Sequence, residues 1–451
     1  TLLDLSIVNV ALPSSREGLH ASNSTLQWVV AGYALAFGVV LVPAGRLGDA
    51  RSRRTIFMWG VALFTVASAV CGAAQEPLWI GVARVAQGIG GGLISPQVSG
   101  FIQNLFKGPE RGRAFGLFGA TVGISTAIGP LLGGLLIQLG GDTNGWRLVF
   151  YVNVPIGILL LFLARRYLPK ADKGPKQSLD PVGVLLFGLA MFLILLPLVK
   201  GGNDTSLSER PWWLLGVSAG LLVVFVFWER HWTSRHRETL LDLSLIKVRS
   251  YVLGVSLGTF YFAGFTSIFI VLTLYLQQGL HYSALEAGAS QLPFAIGSAV
   301  SAWSGGHLVE RFGRALVVVG LVTISIALVL VDQLVPHLSG DVGLKLAPVL
   351  LLAGLGGGLV ITPNITLSLT EVEPAKAGAG GGLLQTAQRV GSAIGVAVVL
   401  ALFFERVAST KGDYAAAMSY SLHVTIGFVL VALVMGLLDL VRRSRIDDPT
   451  H

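Results

Sequence analysis

Apolar positions in this chain neither alternate nor form a single helical stripe; they run on. Long stretches almost free of charge are separated by short segments rich in Arg, Lys, Pro and Gly. That is the pattern of helices surrounded by lipid or by other helices on every side. The stretches fall at 1–13, 25–45, 55–74, 78–105, 114–139, 147–165, 180–199, 211–229, 250–277, 286–308, 315–335, 343–369, 377–404 and 421–441, which predicts fourteen helical spans. The first, opening Thr1-Leu2-Leu3-Asp4, is too short to cross a bilayer. A crossing needs about 20 helical residues. It is read as the later part of a span, with several N-terminal residues expected to be missing.

Composition agrees. Of 451 residues, 53% are hydrophobic and 12% charged, about half the charge of a soluble domain. A soluble enzyme, a disordered chain and an ordinary nucleic-acid binder are excluded. The net charge of +8 has a topological meaning. Twenty-three of the 32 Lys and Arg fall in connections after even-numbered spans or in the C-terminal tail, seven after odd-numbered spans, and Arg84 and Arg389 inside spans. Basic residues collect on the cytoplasmic side, so both termini are expected in the cytoplasm of a multi-pass plasma (inner) membrane protein. Cys71 is the single cysteine. No intrachain disulfide is possible, and a small buried hydrophobe is its expected role.

Internal repeats predict the architecture. Gly45-Arg46-Leu47-Gly48-Asp49 after span 2 is echoed by Gly306-His307-Leu308-Val309-Glu310 after span 10. Gly88 to Leu93 in span 4 is echoed by Gly354 to Leu359 in span 12, and Ala127-Ile128-Gly129 by Ala393-Ile394-Gly395. The offsets are 261, 266 and 266 residues. Two parallel six-helix halves related by an axis along the membrane normal are the expected all-α fold. This divides the chain into an N-terminal bundle (1–165), an inserted pair formed by spans 7 and 8 with its linkers (166–249), and a C-terminal bundle with a short tail (250–451).

Four local motifs resemble those of the fourteen-span drug:proton antiporters (EmrB/QacA-like) of the major facilitator superfamily. They are Leu3-Asp4-Leu5-Ser6-Ile7-Val8-Asn9-Val10-Ala11-Leu12-Pro13, the loop Gly45 to Arg54, Arg84-Val85-Ala86-Gln87-Gly88, and Gly123 followed by Gly129-Pro130-Leu131-Leu132-Gly133-Gly134. Trp146-Arg147 and Asn153-Val154-Pro155-Ile156-Gly157 resemble the same branch. The resemblance implies a monomeric exporter of a small-molecule substrate, driven by the proton gradient, with no resident cofactor or metal and no nucleic-acid partner. The first loop departs from the pattern: Ala50 and Ser52 stand where arginine and glycine are usual, whereas the downstream copy has Arg311 and Gly313. The charge network of the first loop is therefore in doubt.

Asp4 lies nine residues before Pro13, about 14 Å along a helix, and is expected near mid-membrane. A carboxylate there must face water, find a partner or take up a proton. Proton exchange is the functional reading; a fixed helix–helix hydrogen bond through a neutral carboxyl is the plainer one. Arg84 stays charged and either couples to a neighbouring carboxylate through a network with Gln87 or pairs structurally with carbonyls. Asp49 and Arg53, with Gly45 allowing close approach, form a gate latch by resemblance, as do Glu310, Arg311 and Arg314 downstream. Solvated charges at a turn are the alternative. Gly123, Gly129, Pro130, Gly133 and Gly134 bare one helix face for close packing, which by resemblance seals leaks; Gly354–Gly358 and Gly378–Gly382 read as ordinary small-residue packing. Gln87, Gln97, Phe265, Gln291, Asn364, Gln385 and Arg389 are cavity candidates for a mixed apolar site. For Arg389, binding an anionic group and shaping the cavity remain equal alternatives.

A proton-driven exporter of amphipathic small molecules, such as drugs, antibiotics or toxic compounds, is the leading functional expectation. Export of one metabolite, lipid or osmolyte is a second. A ligand sensor that moves nothing is a third, opposed by the deep acid and by the absence of a soluble signalling segment. No Gly-Lys-Ser/Thr phosphate loop occurs. Gly-x-Ser-x-Gly patterns at Ser218 and Ser256 lie within spans, not in the strand–turn–helix setting a hydrolase elbow needs. No enzymatic activity is expected.

Overall fold

The computed structural model describes residues 2–19, 23–141, 144–169, 180–199, 211–235, 239–241, 243–338, 340–373 and 376–446. Every regular element among them is helical. In chain order they are α1 (Leu2–Leu19), α2 (Asn23–Ala50), α3 (Arg53–Ala73), α4 (Pro77–Leu105), α5 (Gly108–Gly140), α6 (Gly145–Tyr151), α7 (Asn153–Tyr167), α8 (Pro181–Val199) and α9 (Trp213–Ser234). Then come α10 (Arg249–Leu274), α11 (Ala284–Ser290), α12 (Leu292–Phe312), α13 (Arg314–Leu334), α14 (Val342–Leu369), α15 (Ala377–Ser409) and α16 (Tyr414–Ile446).

Each of the fourteen predicted stretches coincides with one helix or with two that abut. The sixth is split into α6 and α7 near Pro155, and the tenth into α11 and α12 just before Pro293. Proline lacks the amide that would continue the previous helix, yet fits the first turn of the next. Ten helices or abutting pairs among the described residues are long and apolar enough to cross a membrane. Outside that set lie α1, α4, α5 and the α11–α12 pair. Glycine, serine and glutamine dilute the apolar character of α4, α5 and α12, because much of their surface meets other helices at close range.

The predicted ends need correction in three places. The first helix does not stop at Pro13 but continues to Leu19. The fifth begins at Gly108 rather than 114, and the last runs from Tyr414 to Ile446 rather than 421–441. Hydropathy marks the lipid-contacting core, about 30 Å thick, whereas backbone hydrogen bonding carries a helix on into the interfacial zone.

The two halves have the same internal pairings. In the upstream half α4 packs against α2 and α3; in the downstream half α14 packs against α12 and α13. Across the seam, α5 lies against α12 while α2 lies against α15. These crossings exchange under the repeat. Gln103 donates to the Leu369 carbonyl at 3.0 Å, joining two residues 266 apart, the repeat offset itself. The inserted helix α8 lies along α2 and α15, with Val42, Phe187, Ala190, Met191 and Phe225 in one apolar cluster. Its partner α9 covers α8, where Ser218 donates to the Ala190 carbonyl at 2.8 Å.

Candidate functional site: a buried charge cluster and a latch between the halves

Helices α1, α4 and α7 converge on one carboxylate. Asp4, on the first turn of α1, is fully buried, as are Arg84 and Gln87 on α4. Arg84 and Gln87 are one helical turn apart and therefore share a face. Arg84 Nη1 donates to Asp4 Oδ2 at 2.6 Å, Gln87 Nε2 to Asp4 Oδ1 at 2.9 Å, and Asn153 Nδ2 to the same oxygen at 2.8 Å. Three donors surround the two oxygens, an environment that suits a charged acceptor. A second tier holds the donors in place. Arg84 Nε donates to the Val29 carbonyl at 3.0 Å and Nη1 to Gln87 Oε1 at 2.7 Å. Gln87 Nε2 also donates to Ser68 Oγ at 2.7 Å, and the Cys71 thiol lies 3.9 Å from Gln87 Oε1. The guanidinium sits 4.2 Å from the Tyr33 ring centroid, within cation–π range.

The depth of Asp4 differs from expectation. Arg84 is seven residues from the Pro77 end of α4 and 21 from its Leu105 end. The pair therefore lies about 10 Å from the end opposite the Gly45–Arg54 loop, not at the middle. It also faces no aqueous cavity in this conformation, since donors close around it. Asn153, Ser68 and Tyr33 are cluster members that the candidate set omitted. Asn153 stood in a quoted motif, but nothing in the linear sequence ties a residue 149 positions away to Asp4.

At the loop end, the doubted network is complete. Arg53 Nη2 pairs with Asp49 Oδ1 at 2.5 Å and Nη1 donates to the Gly100 carbonyl at 2.9 Å. Asp49 reaches across the seam: the amides of Gly378 and Ala379 donate to it at 3.1 and 2.9 Å. These amides belong to the first turn of α15, where unpaired N–H groups and the helix dipole favour an anion. Ala50 and Ser52 do not disturb this, because Ser52 caps α3 through the Thr55 amide. A Cβ on Gly45 would collide with the Gly378 carbonyl, and one on Gly378 would press on Asp49. The reading of Gly378–Gly382 as ordinary packing is thus corrected at its first residue, which supplies half of the latch.

The downstream loop is arranged differently. Glu310 and Arg311 are exposed, with Arg311 over the Phe312 ring. Arg314 is buried and forms an ion pair with Asp439 of α16. It also donates to Asn364 Oδ1 at 2.5 Å and to the Ser250 carbonyl at 3.2 Å. This ties α13 to α10, α14 and α16 within one half. Asp439, passed over as a helix-end acid, is the missed partner. Its place near a cytoplasm-facing helix end was the available signal.

The sequence matches the Major Facilitator Superfamily model over residues 1–396. The chain belongs to the major facilitator superfamily. Among its relatives are a probable actinorhodin transporter of Streptomyces coelicolor, 35% identical over 89% of this chain and 70% of that protein. The puromycin resistance protein pur8 of Streptomyces alboniger is 34% identical over 97% of this chain and 86% of that one. In fold the chain is similar to the human organic anion transporter MFSD10, with a TM-score of 0.66, 14% identity and 96% of each chain covered.

The remaining candidates divide by their contacts in this facilitator. On α5, Gly123 meets Ser298 of α12, and Gly134 lies near Leu285 of α11. Gly129 and Gly133 are buried, and the side chain of Pro130 lies outside the described residues. The bare face extends further toward the loop end than the quoted motif. Gly112 and Gly116 approach Gly306, and Gly119 approaches Thr362. Spacings of four, three and four along Gly112, Gly116, Gly119 and Gly123 are the sequence signal for this seam. Several cavity candidates are engaged in packing instead. Gln97 donates to the Ala44 carbonyl at 2.8 Å, and Asn364 holds Arg314 and the Gly254 carbonyl. Phe265 sits in an aromatic cluster with Tyr261, Phe269 and Phe294. Gln291 donates to Thr273 at 3.0 Å. Two candidates do occupy the seam. Gln385 accepts from Ser95 at 2.6 Å and donates to Ser99 at 3.3 Å. One turn on, Arg389 stands over the Phe37 ring at 4.9 Å, with no hydrogen bond or ion pair to a described residue. Phe37 stacks on Tyr33, so two rings separate this cation from the Arg84–Asp4 pair.

Proposed function

We propose that this protein is a proton-coupled antiporter of the fourteen-span drug-exporter branch. It would move amphipathic small molecules out of the cell by alternating access, with both termini in the cytoplasm. The observation that carries the reading is the buried Asp4–Arg84–Gln87–Asn153 cluster in a facilitator whose relatives bear the names of antibiotic transport and resistance proteins. Three helices depend on the charge of one carboxylate. Breaking a buried pair from one side costs about 3–5 kcal/mol. A proton arriving at Asp4 removes its charge, loosens Arg84 from it, and makes a rearrangement of α1 against α4 and α7 favourable. Each proton moving inward supplies about 2.3 kcal/mol per 100 mV and ~1.4 kcal/mol per pH unit, the order of magnitude of that cost.

The Asp49 latch holds the cytoplasmic side shut in this conformation, and its release opens the seam between α2 and α15. Gln385, Arg389 and Phe37 then meet the substrate. An arginine without an acid partner favours a substrate bearing an anionic or electron-rich group beside an aromatic body. The test is flux of a fluorescent drug into everted vesicles, with and without an imposed pH gradient. Uptake that follows the gradient and is lost in Asp4→Asn supports the reading; gradient-independent flux, or no flux of any compound, overturns it.

A further inference from the structure

A groove of about 570 Å3 opens on the side of the upstream bundle, away from the seam and from the charge cluster. It has a simple origin. Helices α3 and α7 approach most closely where Gly157 leaves no room for a Cβ against Thr65. From there they splay toward the loop end. The walls are Ser52, Arg54, Thr55, Met58, Trp59 and Ala62 of the α3 side, facing Leu161 and Arg165 of α7.

The lining is graded. Met58, Trp59, Ala62 and Leu161 make the deeper part apolar, continuous with exposed Trp59, Val66, Ile158 and Phe162 on the outer faces of the two helices. Ser52, Thr55, Arg54 and Arg165 close the other end, about 12 Å away along α3. Arg54 is held over the mouth by donating from Nη2 to the Arg165 carbonyl at 2.8 Å. Neither α3 nor α7 contains a single acidic residue, and the nearby Asp49 is engaged by Arg53 and α15. Arg54 also sits in the first turn of α3, where the helix dipole disfavours a cation. Positive charge thus accumulates at one end of an apolar slot with no protein anion to meet it.

We propose that this groove binds one anionic phospholipid of the adjoining leaflet. The headgroup phosphate lies between Arg54 and Arg165 with the Ser52 and Thr55 hydroxyls as donors, and one acyl chain runs along Met58, Trp59, Ala62 and Leu161. The charge is complementary and the slot lies open toward the bilayer side, which selects a lipid over a soluble anion. This binding depends on the membrane-spanning fold alone and stands or falls separately from proton-coupled transport.

The test is native mass spectrometry of the full chain in detergent, titrated with phosphatidylglycerol or phosphatidylcholine of the same chains. One phosphatidylglycerol should be retained in preference to phosphatidylcholine, by roughly fivefold for each basic side chain engaged. Arg54→Gln with Arg165→Gln should abolish the preference, and Arg54→Lys with Arg165→Lys should keep most of it. Ala62→Trp, which fills the apolar part and leaves both arginines in place, should lower retention of the single lipid. Equal retention of the two lipids by the unaltered chain would overturn the proposal. So would an undiminished preference in the glutamine variant. Competition by inorganic phosphate at the lipid's own concentration would assign the site to a free anion, and would overturn it too.

Discussion

The two halves share a helix arrangement but not a chemistry. In the upstream half, α4 has Arg84 and Gln87 on the face that meets Asp4. The repeat offset of 266 carries these to Leu350 and Ala353 of α14. The stretch corresponding to Asp4, 265–270, holds no ionisable residue. Leu350, Ala353 and Phe265 all lie in the downstream apolar core. Where one half has a charge that a proton can cancel, the other has aromatic packing that nothing titrates. At the loop end the contrast concerns direction. Arg53 and Arg314 are 261 residues apart and repeat-equivalent. Arg53 supports an aspartate that reaches across the seam, whereas Arg314 binds Asp439 within its own half. One half therefore holds the switch and one side of the latch, and the other provides a stiff surface for them to work against.

The most severe way to break this comparison is Asp4→Asn. Gradient-driven transport in everted vesicles should disappear while the protein still inserts, because the amide cannot exchange a proton. Gly45→Val should come next. Its side chain has no space against the Gly378 carbonyl, so the loop end cannot close, and transport should fall at least tenfold in protein that elutes normally in size exclusion. Arg84→Ala removes the cation that holds Asp4 ionised. The pH–rate profile should move alkaline by on the order of one pH unit, with Arg84→Lys partly restoring it; an unchanged profile with activity retained would make the arginine structural. Phe265→Leu, the downstream counterpart, should cost about 1 kcal/mol of stability in a thermal unfolding assay and leave the pH profile where it was. A shift there would mean that the downstream half takes part in coupling.

How much of this was legible depended on the range of the interaction. Asp4, Arg84 and Gln87 were identifiable because an ionisable or amide side chain in an apolar stretch must be satisfied somewhere. Asn153 was not identifiable as their partner, since any of several helices could have supplied the third donor. The Asp49–Arg53 pair is an i, i+4 contact and local, yet its purpose lies in two amides more than 300 residues away. Departures at Ala50 and Ser52 looked damaging in the linear motif. They are harmless because the latch is closed by backbone N–H groups, which no side-chain pattern encodes.

The order, polarity and repeat of the helices were set by the sequence. Burying apolar runs, punctuating them with proline and glycine, and duplicating the pattern at 261–266 residues leave few other ways to arrange such a chain in a bilayer. Glycines at helical spacing likewise announced where backbones would approach. The pairing of charges was decided only by tertiary structure. A carboxylate or guanidinium is costly wherever it is buried alone, and that cost requires a partner without naming one. Which donor is close enough depends on helix rotation and depth, fixed by the packing of every other side chain in the bundle. For that reason Arg314 found Asp439 rather than Glu310, and Asp4 settled nearer one end of the helices than their middle.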